Sequence, residues 1–558
     1  MIDEATTAAP PRFEPPGGGW WELETVHTRG AVPNAFQEIF PEAMRAGMQE
    51  VTAAYGLPMS HIEVRFVADH CYTRAVPIAA PEPPPGRATK APPPVVLKAL
   101  SRVHPAFRRR SKAAASALAT RRWEGDRQRW LTEIRPARIA ANRAVQEVDV
   151  DRLDGTALAT HLRACLANAA AGSVAHFILL GAYNVPVGRF VVACDGWGID
   201  RSMALDLLAG ASPASSCASA VGGIGEACAA AGIEPTSLDA IRSASPQAAA
   251  ALDAVLVDHA WRVLADYTPR GCTLAELPEL LVSAVRRGVM PVIDGVDPAP
   301  VRTLVPEASR ADFDDLLDQA RAAAFIRDDN VGPCFMWPMG LLRRALLAVG
   351  RRMVDAGRAQ DPTDALWISS QDLEAFLDHG GGPDATAVAG RVAAVAAAEE
   401  SGAPAHLGWS EGDPPDPAVF PAAVATLTSA FLLVLDLEMP QQSRDAAAGD
   451  RGLTGVGVGR GRYRGRAVVA RTVEEAADRL EPGDVLVTTL TTPAYNVTLM
   501  TCGAVVTEQG GLLSHTALVA RELGMPAVCG IAGACASIPD LAQVEVDAEA
   551  GEVRILTH

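Results

Sequence analysis

From Trp20 onward the chain switches between two hydrophobic periods. Phe36, Ile39, Phe40, Met44, Met48 and Val51 recur at helical spacing, so their side chains share one face. Ile62, Val64 and Phe66 then alternate, as on a strand with one buried side. From about Leu153 to Leu435 alanine and leucine dominate with helical periodicity, which predicts a large, mainly helical region. Gly/Pro clusters at 181–189, 268–272, 293–300 and 380–384 are expected to break its helices. Beyond Thr454 the pattern becomes one of short apolar runs: Ala467–Ala470, Val485–Thr488, Ala504–Thr507, Ala527–Cys529, and Val544–Val546 with Val553–Leu556 across a glycine-containing turn. Separated by short helical stretches, these runs predict a compact α/β unit.

The punctuation between patterns divides the chain. Residues 1–19 are rich in proline and glycine and are expected to be an untethered N-terminus. Residues 77–94 are proline-dense and predict an extended excursion. The segment 441–452 is polar and small, and the character of the sequence changes after it, which makes it a linker. The expected architecture is therefore multidomain: a mainly α-helical domain with some β structure over 20–440, then a small α/β domain over 453–558.

Charge and composition narrow the partners. A formal charge of −17 opposes a general affinity for nucleic acid or anionic membrane. The start of the chain lacks the basic and apolar stretches of an export signal, and ten scattered cysteines form neither a CxxC pair nor a zinc cluster. A reduced, cytoplasmic protein without a structural metal is expected. The apolar window Val174–Cys194 contains His176, Asn184, Pro186 and Arg189, each costly in a bilayer, and reads as buried core. The basic stretch Arg108–Arg129 reads as a solvated helix face covering Trp123 and Trp130.

One string carries chemistry. In Thr507-Glu508-Gln509-Gly510-Gly511-Leu512-Leu513-Ser514-His515-Thr516-Ala517-Leu518-Val519-Ala520-Arg521-Glu522-Leu523-Gly524-Met525-Pro526-Ala527-Val528, a strand runs into a double-glycine turn and a helix begins near Ser514. His515 falls in the first helical turn, where free N–H groups and the positive dipole end favour an anion. A histidine so placed can act as a covalent nucleophile. The string resembles the phosphohistidine signature of the swivelling domain of the PEP-utilising enzymes, the family of phosphoenolpyruvate synthase, pyruvate phosphate dikinase and rifampin phosphotransferase. Leu490–Tyr495 is similar to the segment leading into that site. The resemblance implies that His515 carries a phosphoryl group, with Ser514, Gly510 and Gly511 shaping its cradle.

The preceding region is more loosely similar to the helical middle domain of rifampin phosphotransferase, through Trp21–His27, Arg327–Asn330, Gly340–Arg344 and Asp361–Leu373. It is expected to bind the acceptor, with Arg327 and Arg344 as phosphate clamps and His27 ahead of His70, His176 and Asp69 as general base. Lysine occurs only at positions 90, 98 and 112, and no phosphate-cradling G-x-x-x-x-G-K-[ST] loop is present. The resemblance then implies a split system like phenylphosphate synthase, in which a separate ATP-grasp protein holding Mg2+ and ATP charges His515. The acceptor would be a small, largely apolar, hydroxyl-bearing molecule. A non-catalytic regulatory protein retaining the fold, or a phosphocarrier acting on pyruvate, are the rival readings.

Overall fold

The computed structural model describes residues 11–84, 86, 92–209, 213–264, 266–287, 295–409, 414–438, 453–492 and 495–557. Two compact units emerge. The first comprises residues 1–181, 266–271 and 330–428, and the second residues 182–265, 272–329 and 429–558. The second unit thus combines helices from the middle of the chain with the C-terminal α/β fold. The 441–452 linker lies outside the described residues.

In the first unit, β1 (Trp20–Leu23) precedes the helix α1 (Asn34–Ala54), whose buried face carries Phe36, Phe40, Met44, Met48 and Val51. The strands β2 (Met59–Val67) and β3 (His70–Pro77) follow as a hairpin. Its two-residue turn places both Ala68 and Asp69 at positive φ, the backbone that matches the twist of paired strands. Asp69 is held there by a bidentate pair with Arg391 at 2.7 Å and by Gln37 at 2.9 Å. The sheet order is β2-β3-β1-β4, with β4 (His406–Gly408) pairing β1 from far along the chain. Trp21, Tyr72 and Leu407 are buried together on it. Phe13 packs on the same cluster, so the N-terminal segment expected to be untethered is anchored from that residue; residues 1–10 lie outside the described residues.

The expected helix break at 181–189 does not occur. A single helix, α2 (Gly155–Gly196), runs through it with Pro186 in its interior. The glycines there serve close approach instead. A Cβ on Gly181 would lie 2.2 Å from the Tyr55 ring, and one on Gly188 would lie 2.0 Å from the Ala430 carbonyl oxygen. The most apolar part of α2 is 78% buried, as its reading as core requires. Trp123 and Trp130 are likewise buried beneath the arginine-rich helices. A further helix, α3 (Trp337–Asp355), is buried along most of its apolar face.

In the C-terminal fold of the second unit, eight strands form one sheet. They are β5 (Leu453–Thr454), β6 (Val456–Val458), β7 (Arg462–Val469), β8 (Val485–Thr488), β9 (Ala504–Thr507), β10 (Ala527–Cys529), β11 (Gln543–Asp547) and β12 (Glu552–Thr557), in the order β5-β12-β11-β7-β8-β9-β10-β6. β7, β8, β9 and β10 are mutually parallel, and the flanking pairs are antiparallel. β5 and β6 stand at opposite ends of this order yet only Gly455 separates them in sequence, so the sheet must roll up until its edges meet. Gly455 and Gly457 permit that closure: a Cβ on Gly457 would lie 1.9 Å from the Ala548 carbonyl oxygen. The parallel strands are continuous apolar runs because both faces are covered. The helix α4 (His515–Glu522) connects β9 to β10.

Candidate functional site: a histidine at a helix start

The loop between β9 and α4 is built around two constraints. Gly510 adopts φ +120°, a conformation that a side chain rarely tolerates, and a Cβ there would meet Ser514 Oγ at 2.8 Å. Ser514 caps α4, its Oγ accepting from the Ala517 N–H. Gly511 is buried in the same turn, and its carbonyl accepts from the Ser514 N–H at 3.1 Å. His515 is therefore the first helical residue, where the sequence places it.

Both imidazole nitrogens are engaged. Nδ1 lies 2.9 Å from Thr491 Oγ1 and Nε2 lies 2.8 Å from Asn496 Oδ1. Thr491 Oγ1 also lies 2.8 Å from Thr516 Oγ1. With the Asn496 oxygen accepting, Nε2 carries the proton and Nδ1 accepts from the Thr491 hydroxyl, which in turn accepts from Thr516. Burial, reinforced by the Arg327 guanidinium, pushes the imidazole pKa down to about 3. The ring is consequently neutral at physiological pH and keeps a lone pair, as a nucleophile requires.

Arg327, expected from the sequence on the acceptor side, stands close enough to His515 to act on its charge. Its guanidinium donates to the Leu513 carbonyl and pairs with Glu438 at 3.1 Å. Leu513 N–H in turn donates to the Leu437 carbonyl at 2.9 Å. Arg521 is buried, donates to the Leu512 carbonyl at 2.5 Å and pairs with Asp206 at 2.9 Å, so it fixes the loop before the helix.

The other expected site residues lie in the first unit. Arg344 donates to the Gln146 and Val148 carbonyls, with Val145 at 3.4 Å, an anchoring arrangement that takes up its fork. Asp69 is committed to Arg391, and His70 Nδ1 lies 2.8 Å from the Ala68 carbonyl oxygen. His27 and His176 are brought together, ring centroids 5.6 Å apart. Thr491, Asn496, Thr516 and Glu438 were not singled out from sequence. The first of them stands in the Leu490–Tyr495 segment, whose similarity to the family was the available signal.

Residues 480–551 match the family model of the PEP-utilising enzyme mobile domain. That match lies wholly within the C-terminal fold and includes His515. Phosphoenolpyruvate synthase of Aeropyrum pernix is 42% identical over 114 residues, 20% of this chain and 14% of the relative. Rifampicin phosphotransferase of Streptomyces sviceus is 41% identical over 108 residues, 19% of this chain and 12% of the relative. An uncharacterized protein of Mycobacterium tuberculosis strain H37Rv is 32% identical over 320 residues, 57% of this chain and 33% of the relative. That alignment is far longer than the mobile domain, so the similarity extends into the helical part. The chain spans about a third of that relative's length.

Proposed function

We propose that this chain is a phosphotransferase component that carries a phosphoryl group on His515 and passes it to a hydroxyl of a small organic acceptor. The observation that carries the reading is the neutral, double-anchored imidazole of His515 at a helix N-terminus inside a PEP-utilising mobile domain. A phosphoryl group on that ring would gain from the dipole end of α4 and from Arg327. Similarity to relatives named as phosphoenolpyruvate synthase and rifampicin phosphotransferase supports phosphoryl transfer as the chemistry.

The scarcity of lysine and of a glycine-rich phosphate loop favours charging by a separate ATP-grasp protein that holds Mg2+ and ATP. The test is isotopic. Incubated with labelled ATP and an ATP-grasp partner, the protein is expected to gain acid-labile, base-stable label, and His515→Ala is expected to lose all of it while remaining folded. Full labelling of His515→Ala would refute the carrier assignment. Labelling by phosphoenolpyruvate alone would replace the split system with direct use of that donor.

A further inference from the structure

A second constellation lies in the first unit. Glu24 and His27 stand three residues apart just after β1, and their side chains meet, His27 Nδ1 to Glu24 Oε1 at 3.0 Å. The Glu24 carboxylate also accepts the backbone N–H groups of Val26, His27 and Thr28. Burial alone would raise its pKa, but the neighbouring His27 and these hydrogen bonds outweigh that and lower it. An ionised carboxylate can only accept, so Nδ1 of His27 is the protonated nitrogen and Nε2 presents a lone pair when the ring is neutral. Nε2 has no hydrogen-bond partner among the described residues, and the side chain retains 12% exposure.

Five rings surround it. Phe40, Phe177, Tyr267, Phe335 and His176 have centroids 5.4 to 5.6 Å from the His27 ring. His176 is itself oriented by Asn330, Nδ1 to Oδ1 at 2.5 Å. A base held by a carboxylate, with its second nitrogen making no hydrogen bond among the described residues and with partial exposure kept at His27 and Tyr267, has the geometry of an acid–base dyad. Aromatic rings of this kind meet a flat aryl group by edge and face contacts. A phenolic hydroxyl, with a pKa of about 10, also lies nearer to imidazole than an aliphatic alcohol does, which favours proton transfer.

We propose that Glu24 and His27 form the base dyad of a phenol-binding acceptor site, with His27 as a catalytic residue and Glu24 as its positioning residue. This rests on the carrier reading only for the source of the phosphoryl group. In the transfer step the phenolic proton moves to His27 Nε2 while the oxygen's electron pair forms the new O–P bond. The P–N bond to His515 breaks, its electron pair returning to the imidazole, and His27 later releases its proton to solvent. Glu24 stabilises the imidazolium formed in between.

The test reads the proton directly. With 4-nitrophenol as probe, at a pH where the free probe is mostly protonated, the protein is expected to raise a saturable phenolate absorbance. His515→Ala should raise the same band, since the dyad does not depend on the carrier. His27→Gln, which keeps bulk without a base, should reduce the bound phenolate fraction about tenfold, equivalent to one pKa unit. Glu24→Gln should reduce it in the same direction with the circular dichroism of the wild type retained. Absence of the band in the wild type, or its persistence in His27→Gln, overturns the dyad. A band that forms in protein whose His515 takes up no phosphoryl group leaves the dyad standing and refutes the carrier reading, whereas a charged His515 that gives up no phosphoryl group to the bound phenol overturns the acceptor site.

Discussion

The imidazole of His515 is worth more as a neutral ring than as a cation in this setting, because burial first, and then Arg327, disfavour its protonation. The consequence for stability has a definite sign. Between its ordinary value of 6.5 and its folded value of about 3 the unfolded chain binds a proton there that the folded chain does not. The contribution of this group is therefore fully present above 6.5 and lost as pH falls toward 3. Replacing His515 by Ala should make stability fall less steeply on acidification from pH 7 to 4, as measured by urea midpoints across that range. Replacing Arg327 by Met removes one of the two causes and should raise the His515 pKa, which the ring's nitrogen chemical shifts would register. An unchanged titration would show that Arg327 does not act on the ring. The sequence string exposed His515, Ser514 and the two glycines because they sit within six consecutive positions. It could not expose Asn496, or Arg327 as a neighbour, because those come to the ring from other elements.

At the scale of elements, strands were legible where their neighbours are also local. β8, β9 and β10 coincide with the apolar runs read from sequence, since parallel strands covered on both faces leave an uninterrupted hydrophobic signal. β1 and β4 left none: four and three residues long, they are strands only by pairing across almost the whole first unit. α2 misled for a different reason. Glycine and proline signal a break when only local propensity counts, but Gly188 is where the helix touches the backbone of Ala430. Propensity alone says that Gly188→Ala should stabilise a helix interior by about 1 kcal/mol. The contact says otherwise, because the added Cβ would lie 2.0 Å from a carbonyl oxygen that cannot rotate away. The variant should be destabilised by about 1–3 kcal/mol, the cost of overpacking. A lowered urea midpoint with an unchanged slope would confirm it, and a raised midpoint would return the glycine to a mere flaw in the helix.

For the whole molecule, the proposed carrier role raises the question of which acceptor a phosphoryl group on His515 would reach. Short keto acids and sugars are recognised through many convergent hydrogen bonds, because each of their polar groups must be satisfied once water is excluded. The rings around His27 offer little of that kind, with the dyad as their polar element beside His176–Asn330 and the Tyr267 hydroxyl. On the proposed acceptor role, aryl and other apolar hydroxyl compounds would suit such surroundings, since apolar side chains with a few placed polar groups are the usual make-up of a small-molecule site. Protein charged with labelled phosphate should therefore lose its label to phenols or aromatic polyketides faster than to pyruvate or glucose, by at least about tenfold if one buried polar mismatch is the deciding cost. The competition is best run as single-turnover discharge from isolated phosphoprotein, so that differences in charging do not enter. Rapid discharge to pyruvate with formation of phosphoenolpyruvate would reverse the assignment and make the chain a carrier of the synthase type, with the aromatic cluster serving only to pack the first unit.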